Sequence, residues 1–230
     1  MAEVFYCHLL NSEQKVQVCD ATKGNSNSTA CNKKSILTFG FMEQEENVNP
    51  WKIVDETKRY ENSWISLMHY NVINPSGGEG VYGKVHFKNT AIGIVPVDSE
   101  MNTYLVGQFR FTINEYSWEI PEGGCPKNEN PLLGAKRELL EETGLKANRW
   151  QVLGTSYLSN SVSDENSVFY LASELTQHEA EPEETEQLKI KKVPLQTAFD
   201  MIDEGEITDS LSILALRKVQ TLLLQGKLKF

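Results

Sequence analysis

At 230 residues, with a formal charge of −10 and a pI near 5.0, the chain has room for one domain of ordinary to large size. It is too acidic to seek a nucleic-acid backbone or an anionic membrane unaided, so an anionic substrate would need cations to mediate. No run approaches the roughly eighteen apolar residues of a membrane span. Cys7, Cys19, Cys31 and Cys125 form no C-x-x-C pair, and no apolar signal core follows the N-terminus, which predicts a reduced, cytoplasmic protein without structural zinc.

Residues 1–50 differ from the rest. "DATKGNSNSTACNKK" is polar and turn-rich, and "MEQEENVNP" adds an acidic run, so a poorly packed extension is expected. From Trp51 the chain turns to short aromatic and β-branched segments: "WISLMHYNVI", "GVYGKVHFK", "TAIGIVPVD" and "TYLVGQFRF". The turn-forming "NPSGGEG" and "DSEMN" between them predict antiparallel hairpins. Residues 130–143 predict a helix with Asn130 as N-cap, Pro131 in its first turn and Gly144 as its stop. "WQVLGTSYL", "NSVFYLASEL" and "LKIKKVPL" predict three further strands, and helices are expected near 195–204 and 210–224. In the last of these Leu211, Leu214, Val219 and Leu222 make roughly one buried face. Strands that flank helices without strict alternation predict an α+β fold rather than a doubly wound parallel sheet.

"RELLEETGL", residues 137–145, puts Glu138, Glu141 and Glu142 on one face of the predicted helix, where like charges repel. Two kinds of relief are open. Arg137 can reach Glu141 while Lys146 draws on Glu142, leaving a solvated acidic face. Alternatively, a hard divalent cation such as Mg²⁺ or Mn²⁺ can gather the oxygens. The surroundings favour the cation. Gly123 is followed after five residues by Glu129, and after seven more by Arg137, Glu138, two residues, Glu141, Glu142, one residue, Gly144 and Leu145. A chance match to so many set positions is on the order of one in a million.

That arrangement resembles the Nudix box. "GQFRF" and "WEIPEGG" before it and "SNSVSDE" after it look most like the branch of ADP-ribose and nucleoside-diphosphate-sugar pyrophosphatases. The resemblance implies a Nudix fold, a mixed β-sheet between helices, over residues 89–230. Residues 51–88 would form a small N-terminal antiparallel β subdomain, with strands that commonly exchange across a homodimer. It implies Mg²⁺-dependent hydrolysis, with Mn²⁺ as a substitute, of a diphosphate joining a nucleoside to a sugar. The products would be a nucleoside monophosphate and a sugar phosphate.

By the same resemblance Glu138 and Glu142 are metal ligands, Glu141 is a ligand or a water-mediated partner, and the main-chain carbonyl of Glu122 faces a metal. Arg137 orients the glutamates and Glu129 supports the loop. Gly123 and Gly124 are expected to let the backbone turn tightly after the strand "SWEI". Arg110 would bind a substrate phosphate, to which its fork of donors is suited. Glu119 would contact the nucleotide or sugar, and Trp64 or Phe87 would stack on the base or lie in the core. The general base is expected at Glu186, with Glu183 and Glu184 as runners-up. Ser161 stands where the ADP-ribose branch often has proline, which keeps GDP- and UDP-linked sugars open, and Asp164 and Glu165 nearby would face the sugar or cap a turn. A non-catalytic ligand sensor of the same fold would have lost box carboxylates, and none is missing here.

Overall fold

The computed structural model describes residues 48–179 and 188–228, which form three sheets; the hairpin expected at "NPSGGEG" forms, whereas the strands flanking "DSEMN" lie in different sheets, linked by the single bridge Val97–Thr103. β1 (Lys52–Glu61), β2 (Ile65–Ile73) and β3 (Glu79–Phe87) make an antiparallel meander. Its second turn is built as the composition predicts: Asn74 Oδ1 accepts the N–H groups of Ser76 and Gly78, and Gly77 takes a φ of 87°. β1 was not foreseen. All ten of its residues are exposed, so it carries no in-out alternation of hydrophobicity to read.

β4 (Asn89–Pro96), β7 (Glu122–Pro126), β8 (Leu145–Tyr157) and β9 (Asn166–Gln177) form a sheet in the order β7-β4-β9-β8, in which β4 and β9 are parallel and the other pairs antiparallel. A third sheet, β10-β5-β6, joins β5 (Asn102–Arg110), β6 (Glu115–Glu119) and β10 (Lys189–Pro194). Helices cover both faces. Ile92 and Ile94 pack with Ala135 and Leu139 of α1 (Pro131–Thr143). Val95 and Leu105 pack with Phe199 of α2 (Leu195–Asp203) and with Leu211, Leu216 and Val219 of α3 (Ser210–Leu224). Burial on both sides explains why "TAIGIVPV" is continuously apolar. The architecture is the expected mixed sheet sandwiched between helices, with an antiparallel sheet on its N-terminal side.

α1 begins and ends where its caps predict. The Asn130 side chain accepts from Leu132 N, and Gly144, at φ 68°, donates its N–H to Leu140 O. α3 holds one surprise: Leu214 is exposed, and the buried positions are Leu211, Ser212, Ala215, Leu216 and Val219. A serine at the centre of that face breaks the apolar pattern from which the face was read.

The loop 158–165 hangs on β3. Val85 N donates to Val162 O at 2.9 Å, Asp164 N to Val85 O at 3.1 Å, and the Tyr82 hydroxyl to Ser161 O at 2.9 Å. Asp164 receives Phe87 N at 2.9 Å and lies 2.6 Å from His86 Nδ1. Burial works against its charge, but the His86 and Phe87 hydrogen bonds outweigh it and hold the carboxyl below its usual range. Asp164 therefore caps and anchors the loop. No helix among the described residues is long and apolar enough to cross a membrane.

Candidate active site

α1 presents its glutamates toward β7. Glu138 and Glu142 are only 9% and 3% exposed, which is incompatible with a solvated acidic face at those two positions. Arg137 lies among them: one arm meets Glu141 at 2.7 Å, and the other meets Glu138 at 2.7 Å and the carbonyl of Gly124 at 2.9 Å. The predicted Arg137–Glu141 pair exists, but the same guanidinium also sets Glu138 and the β7 backbone. Glu142 accepts the N–H of Glu122 at 2.9 Å and so ties the helix to the first residue of β7.

A second group gathers on the neighbouring strands. Arg110, at the end of β5, donates through Nε to Glu119 at 2.9 and 3.1 Å and through Nη2 to Glu122 at 2.7 Å. Glu119 is 2% exposed. Burial works against the Arg110 charge, but Glu119 and Glu122 outweigh it and raise its pKa still further. Glu122 is in the harsher position. Burial, then the charges of Asp209 and Glu119, push its carboxyl well above the usual carboxylate range, and Arg110 offsets this only in part. Its Oε2 is buried without a hydrogen-bond partner.

Gly123 and Gly124 do not form the expected tight turn. Both lie within β7, paired with Ile92 and Ala91 of β4. Their lack of a side chain serves close approach: a Cβ on Gly123 would sit 2.2–2.4 Å from the Glu138 carboxylate, and one on Gly124 would sit 2.9 Å from Asn89 Nδ2. Gly123→Ala is expected to leave the melting temperature within a few degrees, because the displaced group is the end of a flexible side chain. It should lower kcat about tenfold or more, roughly 1.4 kcal/mol of barrier. Steady-state kinetics beside a thermal melt checks this.

Four carboxylates thus share two guanidiniums, Glu119 and Glu122 on Arg110 and Glu138 and Glu141 on Arg137, with Glu142 and Asp209 close beside Glu122. Oxygen donors in negative surplus suit a hard divalent cation, and the unpartnered Glu122 oxygen is the clearest opening for one. Among the described residues no set of three or more His, Cys, Asp or Glu side chains converges as a finished cage. The fit is therefore one of donor chemistry, with water and substrate oxygens needed to complete it.

Of the other predicted residues, Trp64 is 62% exposed at the β1–β2 turn and so is no core residue. Trp118 packs against the core, with Lys191 Nζ 4.0 Å above its ring. Glu129 donates its backbone N–H to Pro126 O at 2.9 Å, a bond that does not depend on its side chain. Glu183, Glu184 and Glu186 lie outside the described residues. Asp209 escaped the sequence reading. Its place as N-cap of α3 is visible in the sequence, but its charge beside Glu122, Arg110 and Glu165 follows from the packing of α3.

The NUDIX domain model matches residues 88–211. The chain is 37% identical over 138 residues to the ADP-ribose pyrophosphatase of Mycobacterium tuberculosis, covering 57% of this chain and 66% of that protein. It is 31% identical over 132 residues to the ADP-ribose pyrophosphatase of Bacillus subtilis, covering 56% of this chain and 71% of that protein. A crystal structure of an ADP compounds hydrolase superposes with a TM-score of 0.71 at 20% identity, over 80% of this chain and all of that one, a likeness of fold. The family match and the curated relatives, together with a sheet between helices, give the class: a hydrolase of the pyrophosphatase kind. The chain belongs to the NUDIX family.

Proposed function

We propose that the protein hydrolyses the diphosphate bond of a nucleoside-diphosphate sugar, ADP-ribose or a close analogue, to a nucleoside monophosphate and a sugar phosphate. The observation that carries the reading is the buried Glu122 carboxylate, one oxygen unpartnered, among Glu119, Glu142 and Asp209 beside the Arg110 guanidinium. Such a site is short of positive charge.

Glu138 and Glu142, with Glu141 and the main-chain carbonyl of Glu122, would hold Mg²⁺ or Mn²⁺, which supplies neutralisation of phosphate charge and a lowered pKa for an attacking water. The chain's own residues do the rest. Arg137 keeps Glu138 and Glu141 in place, Gly123 leaves room for the Glu138 carboxylate, and Arg110, oriented by Glu119, offers its guanidinium to a substrate phosphate. Glu186 takes the proton from the attacking water in this reading, which rests on its place just before β10.

Trp64 provides a stacking platform for the base, supported by its exposure. A homodimer covers the N-terminal sheet, supported by the exposed Trp51, Ile53, Val54 and Val81. Ser161 favours a second reading, a GDP-mannose or UDP-sugar pyrophosphatase. In its place a proline would stiffen the loop, and here hydrogen bonds to β3 do so.

The test is a panel of ADP-ribose, GDP-mannose and UDP-glucose with Mg²⁺ or with EDTA. Turnover of ADP-ribose that EDTA abolishes is expected, with inorganic phosphate appearing only after added phosphatase. Turnover in EDTA, or direct release of inorganic phosphate, would overturn the reading, and preference for another sugar nucleotide would shift the substrate.

A further inference from the structure

β6 ends at Glu119 in one sheet and β7 begins at Glu122 in another, so Ile120 and Pro121 alone carry the chain across the gap. Such a joint falls outside both strand ladders and must find its own partners. Pro121 has no N–H, and its carbonyl accepts from Ile94 N at 2.9 Å. The N–H of the fully buried Ile120 donates to the hydroxyl oxygen of Ser212 at 3.0 Å.

Ser212 is itself wholly buried, on the α3 face otherwise made of Leu211, Ala215, Leu216 and Val219. A face built only for packing would carry alanine there, since a buried hydroxyl is unfavourable without a partner. Asp209 Oδ2 accepts the Ser212 N–H at 2.7 Å and so fixes its place in the helix; beside it Ile120 and Leu211 both close on Gly93, where an added Cβ would lie 3.0 Å from each. On either side of this joint stand Glu119 and Glu122, both bonded to Arg110.

We propose that Ser212 is a positioning residue of the active site: its hydroxyl fixes the Ile120–Pro121 joint, so that Glu119 and Glu122 meet around Arg110. The inference rests on the reading of that site as a metal-dependent diphosphate hydrolase. Displacing the joint moves Glu122 relative to Glu142, which accepts its N–H, and so disturbs the oxygens offered to a cation while leaving Arg110 on β5.

Ser212→Ala is compared with wild type in three measurements: steady-state kinetics on ADP-ribose with Mg²⁺, binding of Mn²⁺ alone by electron paramagnetic resonance, and thermal melting. Val219→Ala serves as a control that loosens the same helix away from the joint. We expect kcat of Ser212→Ala to fall about tenfold or more with KM within about threefold, and Mn²⁺ to bind about tenfold more weakly. Val219→Ala should lower the melting temperature with kcat unchanged. Wild-type kcat and Mn²⁺ affinity in Ser212→Ala, or an equal loss of kcat in Val219→Ala, would overturn the proposal. If wild type turns over none of the sugar nucleotides, the functional reading fails, and the Mn²⁺ titration alone decides the role of Ser212. Should Ser212→Ala not fold, Ser212→Cys, whose sulfur is a weak acceptor, is judged by the same criteria.

Discussion

Replacing Glu142 with Gln is expected to lower kcat by roughly a thousandfold, while the protein should melt at or above the wild-type temperature. The two effects have opposite causes. A carboxylate that helps hold a divalent cation contributes several kcal/mol of transition-state stabilisation, and each 1.36 kcal/mol is a factor of ten. For the fold, Glu142 is a buried charge at 3% exposure, and glutamine keeps an oxygen to accept the Glu122 N–H while removing that charge. Single-turnover kinetics with saturating Mg²⁺, beside a calorimetric melt, separates the two. A kcat near wild type would remove Glu142 from the site.

Arg110→Ala is expected to carry the second large effect, and here stability and activity should fall together. The guanidinium is the common partner of Glu119 and Glu122, and their side chains are 3% and 15% exposed. Removing one member of a buried pair leaves the other uncompensated, at a cost of about 3–5 kcal/mol. The Arg110 side chain is 36% exposed, so solvent screening puts the expected loss at about 3 kcal/mol, roughly a 10 °C drop for a domain of this size.

The loss depends on pH with a definite sign. Glu122 already has a carboxyl raised above its unfolded value, so ionising it disfavours the fold, and Arg110 is the cation that opposes the shift. In Arg110→Ala the deficit is larger on the alkaline side of the raised Glu122 pKa and narrows as the pH falls through it and Glu122 takes up its proton. KM for ADP-ribose should rise about tenfold or more, as expected for loss of a charged phosphate contact. A variant with wild-type melting temperature and KM would show that Arg110 matters neither to the carboxylates nor to the substrate.

The helix bearing the box was fully legible because everything that defines it is local. Asn130, Pro131 and Gly144 mark its ends through contacts within four residues, and the i, i+3, i+4 geometry puts Glu138, Glu141 and Glu142 on one side. β1 and β7 were not legible. β1 is exposed along its whole length, and the Gly-Gly pair in β7 reads as a turn until the Glu138 carboxylate is seen to occupy the space a side chain would fill. Leu214 was misjudged because periodicity tells that a helix has an apolar face, but a partner decides where the edges of that face lie.

By itself the sequence determined the helix that bears the box, the alternation of strand and turn, and the spacing that identifies the family, because short-range sterics, capping and side-chain periodicity govern all three. Only the tertiary structure decided which carboxylates are buried and what each one meets. Arg110 reaches Glu119 and Glu122 because β6 and β7 leave one sheet for another between them, and Asp209 and Ser212 join the site because α3 packs its first turn against that crossing. Those contacts span 9 to 92 residues of chain, a separation at which the register of sheets and the docking of helices, rather than local preference, set which groups come together.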